Sequence, residues 1–261
     1  PSATLANREQ RRRYSPGAMA SVPMFENTAN ASYNSLQMSL TKRFSGGYLV
    51  NANYTWSRSL DDTSGFYNLT QNPDLRAADR SLSDFHRAHV FTASWVWEIP
   101  RMGVNKVASQ IVNGWQLSGL ARAVSGSPFN VITGRDNSLT AVGQDRPNVV
   151  GNPAISGDRS RNDTLLRYFN TAAFTANDLG KFGNSGRNPL IGPGSINVDV
   201  GLFKSFRIRE GHDLQFRAET FNIANRPNFA NPGNTVTAAT FGRILSAADA
   251  RIVQLALKYK F

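Results

Sequence analysis

The sequence of 261 residues contains no cysteine, so disulfide bonds and thiolate metal sites are excluded. It also lacks any run of about 18 apolar residues, which excludes a transmembrane helix. This second absence does not bear on proteins that cross a membrane as strands, because their spanning segments alternate in polarity. No charged and then apolar leader opens the sequence, so we expect the natural start to lie upstream of Pro1.

Acidic residues are scarce compared with basic ones. The chain has 18 Asp and Glu against 29 Lys and Arg, which gives a formal net charge of +11. No zinc finger, RNP motif or compact basic helix accompanies this charge, so we expect no nucleic-acid partner. Part of the excess lies in the opening segment, at Arg8, Arg11, Arg12 and Arg13. We interpret these arginines either as solvated side chains or as contacts to lipopolysaccharide phosphates.

Alternation of apolar and polar residues with a period of two dominates the chain. Successive side chains of a strand point to opposite faces, so this pattern predicts strands with one apolar face. Leu36, Met38 and Leu40 share one face of the first strand, for example, and polar residues occupy the other. The pattern occurs in seven segments: 32–44, 48–59, 86–100, 114–133, 196–208, 214–225 and 251–261.

The connections between these segments are alternately short and long. Short connections follow the first, third and fifth segments, and polar connections at 60–84, 134–194 and 226–249 follow the others. An antiparallel meander of this order has all its long loops at one end, as outer-membrane barrels do. The segments are also long enough to cross a bilayer, for which a transmembrane strand needs roughly 9–11 residues. The predicted fold is therefore all-β, an antiparallel up-and-down meander of about seven long transmembrane strands.

Aromatic residues concentrate at the end of the predicted strands where the short connections lie. Lys42 and Lys204 share the apolar face there, and near an interface a lysine can extend its amine to the headgroups. A soluble β-sandwich is the alternative, but it does not explain the common position of Phe44, Phe206 and Phe261. We expect an aromatic girdle at the membrane interface, formed by Phe44, Tyr48, Trp95, Trp97, Trp115 and Phe206.

The last predicted strand ends on an aromatic residue that continues its apolar face. A terminal strand of this kind resembles the signal by which the barrel assembly machinery of bacteria recognises outer-membrane proteins. The resemblance implies that Phe261 is held at the membrane interface, although chain ends are usually frayed. The residues of this proposed assembly signal are Val253, Leu255, Leu257, Tyr259 and Phe261.

Several longer motifs follow one another in order over most of the chain. They are SYNSLQMSLTKRFSGGYLVNANYTWSRSLDD, DRSLSDFHRAHVFTASWVWEIP, NGWQLSGLARAVSGSPFNV, YFNTAAF, FGNSGRNPLIGPG, NVDVGLFKSFRI and LQFRAETFNIANRPNF. Each motif alone is weakly specific, and their common order is what carries information. Together they resemble the C-terminal barrel segment of Oar-like TonB-dependent receptors.

This resemblance implies an outer-membrane barrel of about 22 strands, closed by a plug domain, that takes up a substrate with energy relayed by TonB. Residues 1–261 hold neither a plug nor a TonB box, so they would be the C-terminal portion of such a barrel domain. We expect an open, curved sheet for this portion alone. The implied partners are outer-membrane lipid and lipopolysaccharide, the barrel assembly machinery, TonB through the plug, and a substrate that the sequence does not identify.

Residues suited to catalysis or metal binding are sparse, and we expect neither enzyme activity nor a cofactor. No Ser/His/Asp arrangement or glycine-rich phosphate loop occurs at a recognised spacing. His86 and His89 would face opposite sides of a strand, which disfavours a shared metal, and His212 stands alone in a turn.

Three groups of charged residues leave alternatives open. The carboxylates at 61–62 and 79–84 are interpreted as solvated loop residues or as calcium-type contacts. Arg217 and Glu219 share the lumen face of the sixth strand, where they could pair with each other or meet a plug.

Two other functions of the protein also stay open: a passive porin or adhesin-type barrel, and a soluble secreted binding module.

Deletion of Phe261 from the full-length protein should impair its assembly into the outer membrane, because the last residue of the apolar register is lost. The amount of folded, heat-modifiable barrel in outer-membrane fractions measures this effect. A normal amount of folded barrel in the deletion variant would contradict the proposed assembly signal.

Overall fold

The computed structural model describes residues 3–8, 10–11, 26–65, 70–140, 143 and 145–261. Seven long strands form one antiparallel sheet in chain order, and a two-residue strand, Ser81–Leu82, pairs with the end of the second. The predicted up-and-down meander is confirmed, and the sheet is not closed. The long strands are β1 (Ala31–Ser45), β2 (Tyr48–Asp61), β3 (His89–Glu98), β4 (Trp115–Val124), β5 (Ser195–Arg209), β6 (His212–Phe221) and β7 (Ile252–Lys260).

The register of the sheet places the apolar residues of all seven strands on one face. Directly opposed residues point to the same side of an antiparallel sheet, so a row of partners identifies a face. The row on the apolar face consists of Lys42, Val50, Trp95, Gly119, Val200, Thr220 and Val253. A row on the other face, called the polar face below, contains Asn53, Thr92, Arg122 and Asn197.

Packing on the apolar face requires glycine at position 119. A Cβ atom on Gly119 would lie 2.1 Å from the ring of Trp95, its direct partner on β3. The indole therefore covers the backbone that the glycine leaves bare, a cross-strand contact that helps to fix the register of β3 and β4.

The apolar face is widely exposed in this structure. Leu40 is 67% exposed, Leu255 67% and Leu257 69%. A soluble β-sandwich would bury such a face against a second sheet about 10 Å away. The described residues form no second sheet with strands of comparable length, so the packing does not support a sandwich.

The three long connections lie at one end of the sheet, as predicted, and two of them pack together. Their apolar core is centred on Phe169, whose ring meets Phe174 at 5.7 Å and Phe241 at 5.2 Å, both edge to face. We call the described residues of 125–194 and 222–251 the loop unit. The buried residues of its core are Phe129, Val131, Phe169, Ala173 and Phe174.

Short elements brace the connections. Two pairs of two-residue strands lie within the loop unit, Pro128–Phe129 with Leu190–Ile191 and Asn148–Val149 with Phe174–Thr175. The helices in the described ranges are α1 (Lys106–Val112) and α2 (Arg161–Leu166), with short 3-10 turns at Arg76–Asp79 and Thr171–Ala173. No helix within the described ranges is long and apolar enough to cross a membrane.

The fourth strand is shorter than the alternation predicts. β4 ends at Val124, whereas the predicted segment continued to residue 133. The chain leaves the sheet at Gly126, where a Cβ atom would lie 1.7 Å from the carbonyl oxygen of Gly192. Phe129 and Val131 then enter the core of the loop unit, so their apolar character reflects burial in that core.

Two further differences lie at the short-connection end. The connection from β3 to β4 contains α1, a helix that Asn105 caps by accepting from the backbone nitrogen of Ala108 at 2.9 Å. The register of β1 shifts between Lys42 and Ser45, so that Ser45 opposes Tyr48. Strict alternation therefore no longer assigns Phe44 to a face.

Leu255→Arg should impair barrel stability far more than Gln254→Arg. Both residues are exposed neighbours in β7, but only position 255 lies on the apolar face. A charge on the lipid face of a barrel costs about 2–4 kcal/mol near the bilayer midplane. Urea titration of the full-length protein refolded in lipid vesicles measures the difference. Equal stability of the two variants would show that the faces are assigned wrongly.

Candidate functional site

A largely buried group of charged side chains joins the loop unit to the connection between β2 and β3. Arg187 of the loop unit forms ion pairs with Asp61, the last residue of β2, and with Asp84, the latter at 3.0 Å. Its guanidinium also donates to the carbonyl oxygens of Asp61 at 2.9 Å and Asp79 at 3.0 Å. Because Asp61 is only 2% exposed, protein donors and not water compensate its charge.

A second buried ion pair lies beside the first. Nη1 of Arg146 is 2.6 Å from Oδ1 of Asp79, and these side chains are 6% and 3% exposed. Gln71 accepts from the backbone nitrogen of Arg146 at 2.7 Å and donates to the carbonyl oxygen of Gly183 at 3.1 Å. We call the following residues the ion-pair cluster: Asp61, Gln71, Asp79, Asp84, Arg146 and Arg187.

The ion-pair cluster lies on the polar side of the sheet. Ser59 and Asp61 share the parity of Asn53, so their side chains point to the polar face. Oγ of Ser59 is 2.8 Å from Oγ of Ser83, which places the connection after β2 on that side as well. The cluster therefore holds the loop unit over the polar face at the long-connection end.

The sequence-based interpretation of Asp61 and Asp79 is wrong. They are neither solvated nor arranged for calcium, because each is buried against an arginine of the loop unit. No group of three or more His, Cys, Asp or Glu side chains within the described part of the chain could hold a metal ion. The arginine partners were missed because Arg187 follows Asp61 by 126 positions, beyond the reach of any local spacing.

Each histidine contacts a hydrogen-bonding partner on a neighbouring strand or loop. Nδ1 of His86 accepts from the backbone nitrogen of Ser59 at 3.2 Å. Burial, followed by the charges of Arg58 and Arg87, lowers the pKa of His86 and favours this neutral, accepting form.

The other two histidines pair with tyrosines. Nδ1 of His89 lies 2.8 Å from the hydroxyl of Tyr54, and Nδ1 of His212 lies 2.6 Å from the hydroxyl of Tyr259. The prediction that His212 stands alone is therefore wrong. Its partner belongs to the proposed assembly signal, so the pair ties β7 to β6 across the sheet.

The two lysines of the apolar face are satisfied by the protein. The amine of Lys204 donates to the carbonyl oxygen of Asn113 and lies 5.7 Å from the ring centre of Trp115. Lys204 is 2% exposed, so the expectation that it extends toward headgroups is wrong. The amine of Lys42 donates to Oγ of Ser45 at 2.8 Å and lies 4.4 Å from the ring centre of Tyr48.

The aromatic residues predicted to form a girdle lie near the short connections. Tyr48 opposes Trp97 directly, and Phe206 opposes Leu214, which in turn opposes Tyr259. Phe206 thus shares a row with Tyr259, and Phe261 lies beyond the last residue of β7, 93% exposed. The role of these side chains at an interface and in assembly stays a prediction.

Comparison with known families decides what the sheet is. A family model described as an outer membrane beta barrel domain matches residues 1–254. The chain belongs to this family. Membership implies an outer-membrane location in a Gram-negative-type envelope. No curated protein matches the sequence.

The polar face of this barrel domain lines the lumen, because the apolar face must meet lipid. On the lumen face, Nη2 of Arg217 donates to Oε1 of Glu219 at 2.9 Å, which confirms the predicted pair. The guanidinium also lies 5.2 Å from the ring centre of Phe203, its direct partner on β5.

The opening arginines were predicted to be solvated or to contact lipopolysaccharide. Nη2 of Arg11 donates to the carbonyl oxygen of Leu139 at 3.3 Å, and Nε donates to Oδ1 of Asn7 at 3.0 Å. Arg11 therefore contacts the loop unit of the barrel domain. Arg12 and Arg13 lie outside the described residues.

Arg187→Met should loosen the loop unit while leaving the barrel wall intact. Removing one partner of a buried ion pair leaves an uncompensated charge, which costs about 3–5 kcal/mol. The rate of protease cleavage in the loop unit of the folded, detergent-solubilised protein measures this loss. Lys181→Met is the control, because the pair of Lys181 with Asp178 is exposed and such pairs contribute about 0–1 kcal/mol. Equal cleavage rates for both variants would contradict a stabilising role of the cluster.

Proposed function

We propose that residues 1–261 are the C-terminal portion of the barrel of a TonB-dependent receptor. In this role the barrel domain contributes to the energy-coupled uptake of a substrate across the outer membrane. One line of support is the resemblance to Oar-like TonB-dependent receptors in the order of the motifs along the chain.

The open sheet is consistent with a wide barrel. β1 pairs only with β2 among the long strands, and β7 only with β6. In lipid each unpaired backbone N–H or C=O group costs several kcal/mol, so in the proposed barrel both edges are paired with other strands. Barrels of about 16–18 strands leave an aqueous channel, whereas those of about 22 strands hold a plug in the lumen.

The observation that carries the proposal is the folded loop unit over the lumen face. Its apolar core and the ion-pair cluster give the entrance of the barrel a fixed shape. A fixed entrance is suited to bind one substrate selectively, but tight binding opposes passive conduction, which requires easy release. Energy relayed through a plug resolves this conflict, and a passive porin has no equivalent step.

The proposal assigns a partner to each surface of the barrel domain. Outer-membrane lipid and lipopolysaccharide contact the apolar face, and the barrel assembly machinery contacts the terminal strand. TonB acts through the plug, which in turn occupies the lumen beside the polar face. No substrate is named, because its recognition also involves the plug.

The proposal is tested by reconstituting the full-length protein in planar lipid bilayers. A plugged receptor should pass little current, and deletion of its plug should open a large, steady conductance through the same barrel. The plug-deleted variant is also the control for correct insertion. A large, steady conductance of the intact protein would contradict the proposal and favour the passive porin.

A further inference from the structure

A cavity of about 340 Å³ lies where the loop unit meets the lumen face. Its floor is formed by the last residues of β4 and the first residue of β5. One wall is formed by the connection between β6 and β7. The size falls within the range of small-molecule sites, about 300–1,000 Å³. The residues that matter for the inference are Arg87, Arg122, Ser125, Ser195, Phe229 and Asn231.

Two arginines converge on this cavity. Arg122 projects from the lumen face of β4, where it opposes Thr92 and Asn197. Arg87 comes from the segment just before β3, and its Nη1 donates to the carbonyl oxygen of His86 at 2.8 Å. Burial, followed by the charge of Arg122, lowers the pKa of Arg87, as expected when two cations share one site.

Neither arginine is neutralised by a carboxylate in the described part of the chain. The ion pairs there involve other basic residues, and the buried Arg146 and Arg187 are both paired. Asp199 lies on the same lumen face, but its Oδ1 accepts from Asn197 at 2.7 Å and from the backbone nitrogen of Asn222 at 2.8 Å. The cavity therefore has a net positive charge beside hydroxyl, amide and apolar groups.

We propose that this cavity binds a small organic anion whose carboxylate or phosphate group accepts hydrogen bonds from Arg87 and Arg122. A guanidinium presents planar donors that match the two oxygens of such groups, and the bonds are charge-assisted. Ser125, Ser195 and Asn231 supply further polar groups, and Phe229 provides an apolar wall for the body of the ligand. The further claim that this anion is an uptake substrate at its entry site rests on the proposed function. The claim that the cavity binds an anion does not.

The test is calorimetric titration of the folded, detergent-solubilised full-length protein with three probes: inorganic phosphate, acetate and benzoate. At least one probe should bind at low ionic strength, and binding should weaken as salt is added. Stronger binding of benzoate than of acetate identifies a carboxylate ligand with an apolar body, whereas preference for phosphate identifies a phosphorylated ligand. Absence of binding by all three probes overturns the proposal.

Three variants locate the binding. Arg87→Gln and Arg122→Gln should each weaken it at least tenfold, because each removes charge-assisted hydrogen bonds. Arg209→Gln removes the same charge from an exposed position at the opposite end of β5 and should leave binding unchanged. Arg122 is exposed and outside the ion-pair cluster, so its variant decides the matter if Arg87→Gln fails to fold. Wild-type affinity in folded Arg122→Gln overturns the proposal.

The outcome is separable from that of the bilayer experiment. Anion binding together with a large, steady conductance of the intact protein would leave this inference standing and remove the receptor function. Little conductance of the intact protein together with no anion binding would leave the receptor function standing and overturn this inference.

Discussion

The register of the seven strands is the constraint on which the rest of the structure depends. A shift of one residue between any two neighbours would turn the apolar side chains of one strand toward the lumen. The contact between Trp95 and Gly119 is one local feature that opposes such a shift. In lipid, moreover, every backbone hydrogen bond must be made within the wall. Strand pairing in this register therefore satisfies the backbone polar groups in the bilayer and also keeps the apolar and polar faces separate.

Much of the wall could be predicted from sequence because it depends on local alternation. The seven strands, their faces and the common end of the long connections all follow from a period of two and from loop lengths. The errors occur where another contact competes with the pattern. Phe129 and Val131 continue the alternation of β4 but are buried in the loop unit, and the bulge after Lys42 is not visible in composition.

The charged sites show the same division between local and distant contacts. Arg217 and Glu219 are two residues apart on one strand, so spacing alone was enough to give their contact as one of two alternatives. Asp61 and Arg187 meet only because the strands between them are paired, and the sequence gives no sign of this contact. Lys204 was placed on the correct face, but the carbonyl group that accepts its hydrogen bond comes from a connection whose path the sequence did not predict.

The wide separation of Asp61 and Arg187 along the chain has a consequence for the order of folding. In a free chain, closing so long a loop costs conformational entropy before the ion pair returns any energy. When β2, β3, β4 and β5 pair one after another, each pairing joins neighbouring strands and shortens the loop that still separates Asp61 from Arg187. The entrance of the barrel can therefore take its final form only on a wall that is already in register, and a misregistered wall would leave Asp61 without its counterion.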